Sequence, residues 1–172
     1  MARISAKDAG GVKVLIALDL TAWSEGTSRS KYTTDSGYDI LVEGVTAPPG
    51  PFPKIFTDYS KHPNVLVTVN NKGLRSTAAG RYQFLIGTWT EVVNKYGFKG
   101  RFTPEAQDLA AIKKFTERGA MPAILAGDWP LFISKCNKEW ASFTGSPYNQ
   151  NPHSLQAMLA QVKVLEKQYA NA

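Results

Sequence analysis

Residues 12–23 (VKVLIALDLTAW) carry only Lys13 and Asp19 as charges and run directly into Ser24, Glu25 and Gly26. Val12, Ile16, Leu20 and Trp23 recur at helical spacing, and Val14, Leu18, Ala22 and Glu25 form a second row. A helix that is apolar most of the way round has to sit centrally, so the rest of the fold is built around it. Ser5 and Asp8 fit a capping box, and the pattern predicts one helix over residues 6–24, stopped by Gly26.

Glu25 closes the second row, on a face shared with core-type side chains. Desolvation there penalises the carboxylate, and the helix dipole opposes negative charge at a C-terminus, so both effects favour the protonated acid and raise its pKa. An acid that keeps its proton near neutral pH is the reagent that glycoside cleavage needs. Taken alone, a Glu at a helix end also reads as a solvated terminal charge.

The chain has 172 residues, enough for one domain or for two lobes sharing a core. Hydrophobic residues make up 43% and charged residues 20%, which excludes a disordered chain. Cys136 is the only cysteine, so no disulfide forms within the chain, and it reads as a small buried hydrophobe. Lys7, Asp8, Lys13 and Asp19 interrupt the N-terminal apolar stretch, which is neither a signal-peptide core nor a membrane span. A product made in the cytoplasm is expected, with export supplied by something else.

The net charge of +6 suits a polyanionic partner, nucleic acid or bacterial envelope. The basic residues are scattered, with Arg29/Lys31, Lys113/Lys114 and Lys163/Lys167 as the closest groupings, so no DNA-reading stripe emerges.

After Gly26 the texture changes to short β-rich pieces, with strands expected at 38–42, 54–59 and 65–69. Residues 46–53 (TAPPGPFP) hold four prolines and read as a stiff exposed loop. Helices return from about Thr77 to Tyr96, then over 104–118, 121–126, 128–143 and 152–169. The expected architecture is α+β and a single domain, with residues 1–25 and 76–172 as a helical lobe and 26–75 as a β-rich lobe. A ligand cleft is expected at the junction.

A second constellation is RSTAAGRYQF at 75–84. Small residues and Gly80 let a backbone approach a ligand closely, while Tyr82 and Gln83 offer hydrogen-bonding groups and a flat face suited to a sugar. The same residues also read as an ordinary helix start. His62 lies in a Lys-His-Pro turn and reads as structural, and His153 reads as surface decoration. Two isolated histidines make no metal site, and nothing calls for a cofactor. Trp23, Trp89, Trp129 and Trp140 read mainly as core.

Seven colinear blocks, AWSEGT, GYDILVEG, IFTDYSKHP, LVTVNNKGLRSTAAGRYQ, TPEAQD, ERGAMP and EWASF, together resemble the lambda-type bacteriophage lysozymes, endolysins that break host peptidoglycan. The resemblance implies a lysozyme-like fold with a cleft between a mostly helical part and a small β-rich lobe. It implies lytic transglycosylation: cleavage between N-acetylmuramic acid and N-acetylglucosamine without water, leaving a 1,6-anhydro sugar. Glu25 matches the catalytic Glu of the AWSEGT block, and Ser76, Thr77, Gly80, Arg81, Tyr82 and Gln83 match the segment that flanks the substrate. It further implies a monomer that acts on glycan strands, binds no nucleic acid, and depends on a holin to pass from the host cytoplasm to the periplasmic wall. Residues 45–53 depart from the family pattern as an insertion.

A hydrolase would add a second carboxylate at about 5–5.5 Å as nucleophile or about 6.5–9.5 Å as base. Asp35, Asp39, Glu43 and Asp58 are the candidates for that role. A transglycosylase avoids it, because the sugar's N-acetyl group and 6-hydroxyl serve instead. A hydrolytic muramidase and a non-catalytic wall-binding module remain the competing readings.

Overall fold

The computed structural model describes residues 1–70 and 73–172; Asn71 and Lys72, inside the LVTVNNKGL stretch, lie outside the described residues. The elements are α1 (Ala6–Ala9), α2 (Val12–Ser24), β1 (Val67–Thr68), β2 (Arg75–Ser76), α3 (Ile86–Tyr96), α4 (Pro104–Glu117), α5 (Met121–Ala126), α6 (Trp129–Cys136) and α7 (Leu155–Ala170). Single 3-10 turns occupy Thr27–Arg29 and Val42–Gly44. The chain divides into two compact units, Met1–Ser24 with Asp108–Ala172, and Glu25–Gln107. Helix α3 thus belongs with the strands, where the sequence grouped it with the other helices.

In the first unit α2 is the central element, with Ala17, Leu18, Leu20 and Ala22 completely buried. It packs against α1, α5 and α7. Each large side chain taken fully out of water contributes about 1.5–3 kcal/mol, so this one helix anchors the unit. Asp19, 5% exposed within that face, accepts a hydrogen bond from the Tyr169 hydroxyl at 2.7 Å, which answers the cost of burying a carboxylate.

The single helix expected over 6–24 is two helices. Ser5 caps α1 as expected, accepting from Asp8 N at 3.0 Å. Gly10 and Gly11 then take φ of 96° and 131°, which ends the helix before α2 begins. Helix α6 is also shorter than expected: it stops at Cys136, and turns over 137–143 bring Trp140 and Phe143 onto Phe115 and Phe132. Regular helix yields there to aromatic packing. Helix α3 starts at Ile86, well after the expected Thr77, while α4, α5 and α7 keep their expected starts and stops within a few residues; Thr103, Asp128 and Ser154 accept from the first-turn amides of α4, α6 and α7.

Cys136 is buried in this core, and desolvation, with Glu139 adding to it, pushes its thiol up to about 12. Lys114 sits 3.0 Å from Glu117 and 3.7 Å from Glu139, so it is engaged inside the unit.

The second unit has far less sheet than its sequence suggests. Strands β1 and β2 pair antiparallel with Val67 opposite Ser76 and Thr68 opposite Arg75. The other expected strands contribute isolated bridges, Ile40 with Ile55 and Leu41 with Ala79. Prolines at 48, 49, 51 and 53 and the 3-10 turn at Val42–Gly44 interrupt any longer ladder. Burial holds this unit together: Tyr38, Ile40, Val67, Ala79, Tyr82 and Phe102 are completely buried. No helix among the described residues is long and apolar enough to cross a membrane.

Candidate active site

The last turn of α2 is fastened by side chains from far along the chain. Ser24 Oγ lies 2.8 Å from Ser142 Oγ, within the EWASF block. His153 Nε2–H donates to the Ser24 carbonyl at 3.0 Å, and its ring lies 4.6 Å from that of Trp23. C-terminal helix carbonyls lack intrahelical partners, so this donor satisfies one of them. His153 is therefore a helix cap, which corrects its reading as decoration. A Pro-His-Ser sequence starting the last helix gave no local sign of a partner 129 residues away.

Glu25, partly buried, begins the second unit, and the residues after it are locked in place. Thr27, completely buried, donates from Oγ1 to the Arg81 carbonyl at 2.6 Å. Gly37 packs so closely that a Cβ there would lie 2.9 Å from the Thr27 carbonyl carbon. On the other side, Val45 Cγ1 lies 3.7 Å from where a Cβ on Gly26 would stand. The segment 25–27 is thus held against 37 and 81, from two of the colinear blocks, and lies close to 45, at the start of the insertion.

The segment 75–84 folds differently from the helix expected there. Ala79 and Phe84 exchange backbone hydrogen bonds of 3.1 and 3.0 Å across a tight turn, with Gly80 at φ 79° and Gln83 at φ 53°. Helix α3 starts only at Ile86, whose N–H donates to Thr77 Oγ1 at 3.0 Å. At Gly80 any side chain is excluded twice over, by its positive φ and by a Cβ that would stand 2.9 Å from Phe102 Cζ and overlap Gln107 Oε1.

Exposure sorts these residues by what they offer. Ser76, Thr77 and Gln83 are partly exposed. Ser76 Oγ accepts from Ala78 N at 3.1 Å, and Gln83 Nε2 donates to the Gly80 carbonyl at 2.9 Å. Arg81 is 1% exposed and Tyr82 0%, so the flat face expected of Tyr82 is turned into protein. The Arg81 guanidinium donates to the Ser36 carbonyl and lies over the Tyr38 ring at 5.1 Å. Both residues support the segment from beneath.

Gln107, from the TPEAQD block, was not singled out by sequence, yet it is completely buried at the centre of this arrangement. Its Oε1 accepts from Arg81 N at 2.8 Å, and its Nε2 donates to the carbonyls of Tyr38 and Phe102 at 3.2 and 3.0 Å.

The four other carboxylates considered from sequence carry hydrogen bonds of their own. Asp39, 3% exposed, accepts from Thr34 N at 2.9 Å, Thr34 Oγ1 at 2.7 Å and Thr33 Oγ1 at 2.5 Å. Glu43, 2% exposed, accepts from Phe52 N and Thr46 Oγ1, each at 3.4 Å. Asp35 accepts from the Tyr59 hydroxyl at 2.6 Å. Exposed Asp58 accepts from Ser60 N at 2.8 Å, and hydrogen bonding to Ser60 holds its carboxyl below the usual range.

His62 is buried, as its structural reading requires. Nδ1 accepts from Asn64 N at 3.0 Å and Nε2–H donates to the Phe84 carbonyl at 2.7 Å, which fixes the neutral tautomer. Burial holds its pKa below the ordinary value, against the opposing pull of the Phe84 carbonyl. A groove of ≈ 460 Å³ alongside His62, Trp89 and Val93 is lined by none of the proposed site residues. Among the described residues, no group of three His, Cys, Asp or Glu is placed to hold a metal.

A buried helix leading to a single acid, followed by a turn-rich unit with a minimal sheet, defines a lysozyme-like α+β fold. The structure matches bacteriophage lambda lysozyme complexed with a chitohexasaccharide with a TM-score of 0.82 and 38% identity, over 96% of this chain and 97% of that one. A second structure of lysozyme from bacteriophage lambda matches with a TM-score of 0.78 and 36% identity over the same shares. The Endolysin family model matches residues 16–166, and the chain belongs to that family. It is 42% identical to the endolysin of Escherichia phage lambda over 147 residues, 85% of this chain and 86% of that protein. It is 40% identical to the endolysin of Escherichia phage P2 over 146 residues, 83% and 86%.

Proposed function

We propose that this endolysin cleaves the β-1,4 bond between N-acetylmuramic acid and N-acetylglucosamine in peptidoglycan by lytic transglycosylation, with Glu25 as the only catalytic carboxylate. The observation that supports this reading is position: Glu25, partly buried, directly follows the last turn of the central helix at the start of a turn held by Thr27 and Gly37, while Asp39 and Glu43 are buried among the hydrogen bonds of their own loops. Asp35 and Asp58 are engaged by Tyr59 and Ser60.

In this mechanism Glu25 gives its proton to the glycosidic oxygen as the bond from the anomeric carbon breaks. The N-acetyl carbonyl of the muramic acid stabilises the developing positive charge. The 6-hydroxyl oxygen of the same sugar then bonds to the anomeric carbon, and its proton passes to the Glu25 carboxylate. Glu25 returns to its starting state, and no water is consumed. Ser76, Thr77 and Gln83 contact the sugar, while Gly80, Arg81 and Tyr82 hold that segment in shape, a division supported by their exposure.

Mass spectrometry of digested murein tests the reaction class, because the anhydro product is lighter by one water than a hydrolytic one. A hydrated product would assign a muramidase with a second carboxylate. Glu25→Gln keeps the shape and removes the proton, and is expected to lower murein cleavage by roughly 10²–10⁴-fold. Undiminished lysis by that variant would leave a wall-binding role.

The single-domain arrangement, a monomeric state and passage to the wall through a holin complete the proposal. Gel filtration checks the second of these. Accumulation in the periplasm of intact cells, with no holin expressed, would contradict the third.

A further inference from the structure

Residues 46–53 join the unit more firmly than an exposed proline-rich loop requires. Residues 47–51 are exposed, but the positions that flank and underlie them are tied down. The buried Glu43 carboxylate accepts from Thr46 and Phe52, and Gly50 passes so close that a Cβ there would lie 2.5 Å from Glu43 Oε1. Lys54 Nζ donates to the Gly50 and Phe52 carbonyls at 2.6 and 2.8 Å, closing the loop from the other end.

The Phe52 side chain packs on a cluster of Val42, Val67 and Ala78, shared with Val65 and Val69. Ala78 lies within the 75–84 segment, so the loop and the proposed sugar-binding segment share one small core. At the loop's root, Ser30 Oγ–H donates to the Gly44 carbonyl at 2.7 Å, and Val45 Cγ1 lies 3.7 Å from where a Cβ on Gly26, the residue after Glu25, would stand. The loop thereby shares a core with the 75–84 segment, and its root lies close to the turn after Glu25.

We propose that this loop is a specificity element of the Glu25 site: its crest of Pro48, Pro49 and Pro51 meets the glycan strand away from the scissile bond and favours strands long enough to reach it. This rests on the reading of Glu25 as the catalytic acid. The crest suits the task because proline rings present apolar surface with φ already set, and a loop ordered during folding loses little further entropy on binding. Residues 46–53 carry no charge, so their grip depends on strand length and not on the carboxylates of the peptide stems. A contact remote from the reacting bond is made equally in ground and transition states, so it acts on KM and leaves kcat alone.

The test replaces residues 47–51 by two glycines and, separately, makes Phe52→Ala, which loosens the crest without deleting it. Steady-state kinetics are measured on long uncrosslinked glycan strands and on short muropeptide oligomers. The expected result is a KM for long strands raised on the order of fivefold, with kcat and short-oligomer kinetics unchanged and little dependence on salt. An unchanged KM on long strands overturns the proposal. So does an equal loss on both substrates, which would mark the loop as a support of the fold alone. Should the deletion fail to fold, Phe52→Ala carries the same comparison. Failure of the underlying reading is separately visible, since Glu25→Gln would then retain cleavage whatever the loop variants do.

Discussion

Replacing Gln107 by alanine takes the partner from three backbone groups at once, the Arg81 N–H and the carbonyls of Tyr38 and Phe102. Losing the partner of a buried polar group costs about 1–3 kcal/mol, so Gln107→Ala is expected to destabilise the protein by about 2–4 kcal/mol, read from urea denaturation. An unshifted midpoint would mean that water replaces the side chain without penalty. Sequence gave Gln107 no distinction, since a glutamine inside a helix reads as a surface residue. Glu25 stood out in the sequence for the opposite reason: an acid is conspicuous at the end of an apolar face, and its position just after the buried helix follows from helical periodicity. Tyr82 differs from its expected reading, with its ring buried where a face open to a sugar was expected.

At the scale of elements, the start of α3 shows where local reasoning fails. Residues 77–83 have no strong helix breaker apart from Gly80, and propensity alone extends the helix back to Thr77. The Ala79–Phe84 turn and the packing around Gly80 win instead, and Thr77 reaches forward to cap Ile86. Thr77→Ala is accordingly expected to cost about 0.5–2 kcal/mol and Thr77→Ser much less, measured by thermal unfolding. Equal stability of the two variants would show that the hydroxyl contributes nothing to α3. The Gly10–Gly11 break and the early end of α6 are failures of the same kind. Periodicity continues through both places, but a left-handed backbone in one and aromatic packing in the other end the helix.

For the molecule as a whole, His62 links folding to pH. Its neutral form is fixed by Asn64 and Phe84, and burial lowers its pKa below the ordinary 6.5. The unfolded chain therefore binds a proton more readily than the folded one. Stability supplied by this group is complete above the unfolded value, declines as pH falls through about 6.5, and is fully lost below the folded pKa. Denaturant midpoints are expected to drop between about pH 7.5 and pH 5, with a smaller drop in His62→Gln, which cannot titrate. The same slope in wild type and variant would remove His62 as the cause.

Sequence by itself determined the buried helix that runs up to Glu25, the helices from Pro104 onward, the exposed proline loop and the family, because each depends on neighbours along the chain. Only the tertiary structure decided which polar groups serve one another: His153 with Ser24, Gln107 with Arg81, and Glu43 with Thr46 and Phe52. It also decided which residues of the 75–84 segment face solvent. The physical reason is that propensity and periodicity act over a turn or two, whereas the partner of a buried donor is chosen by how the whole chain closes on itself.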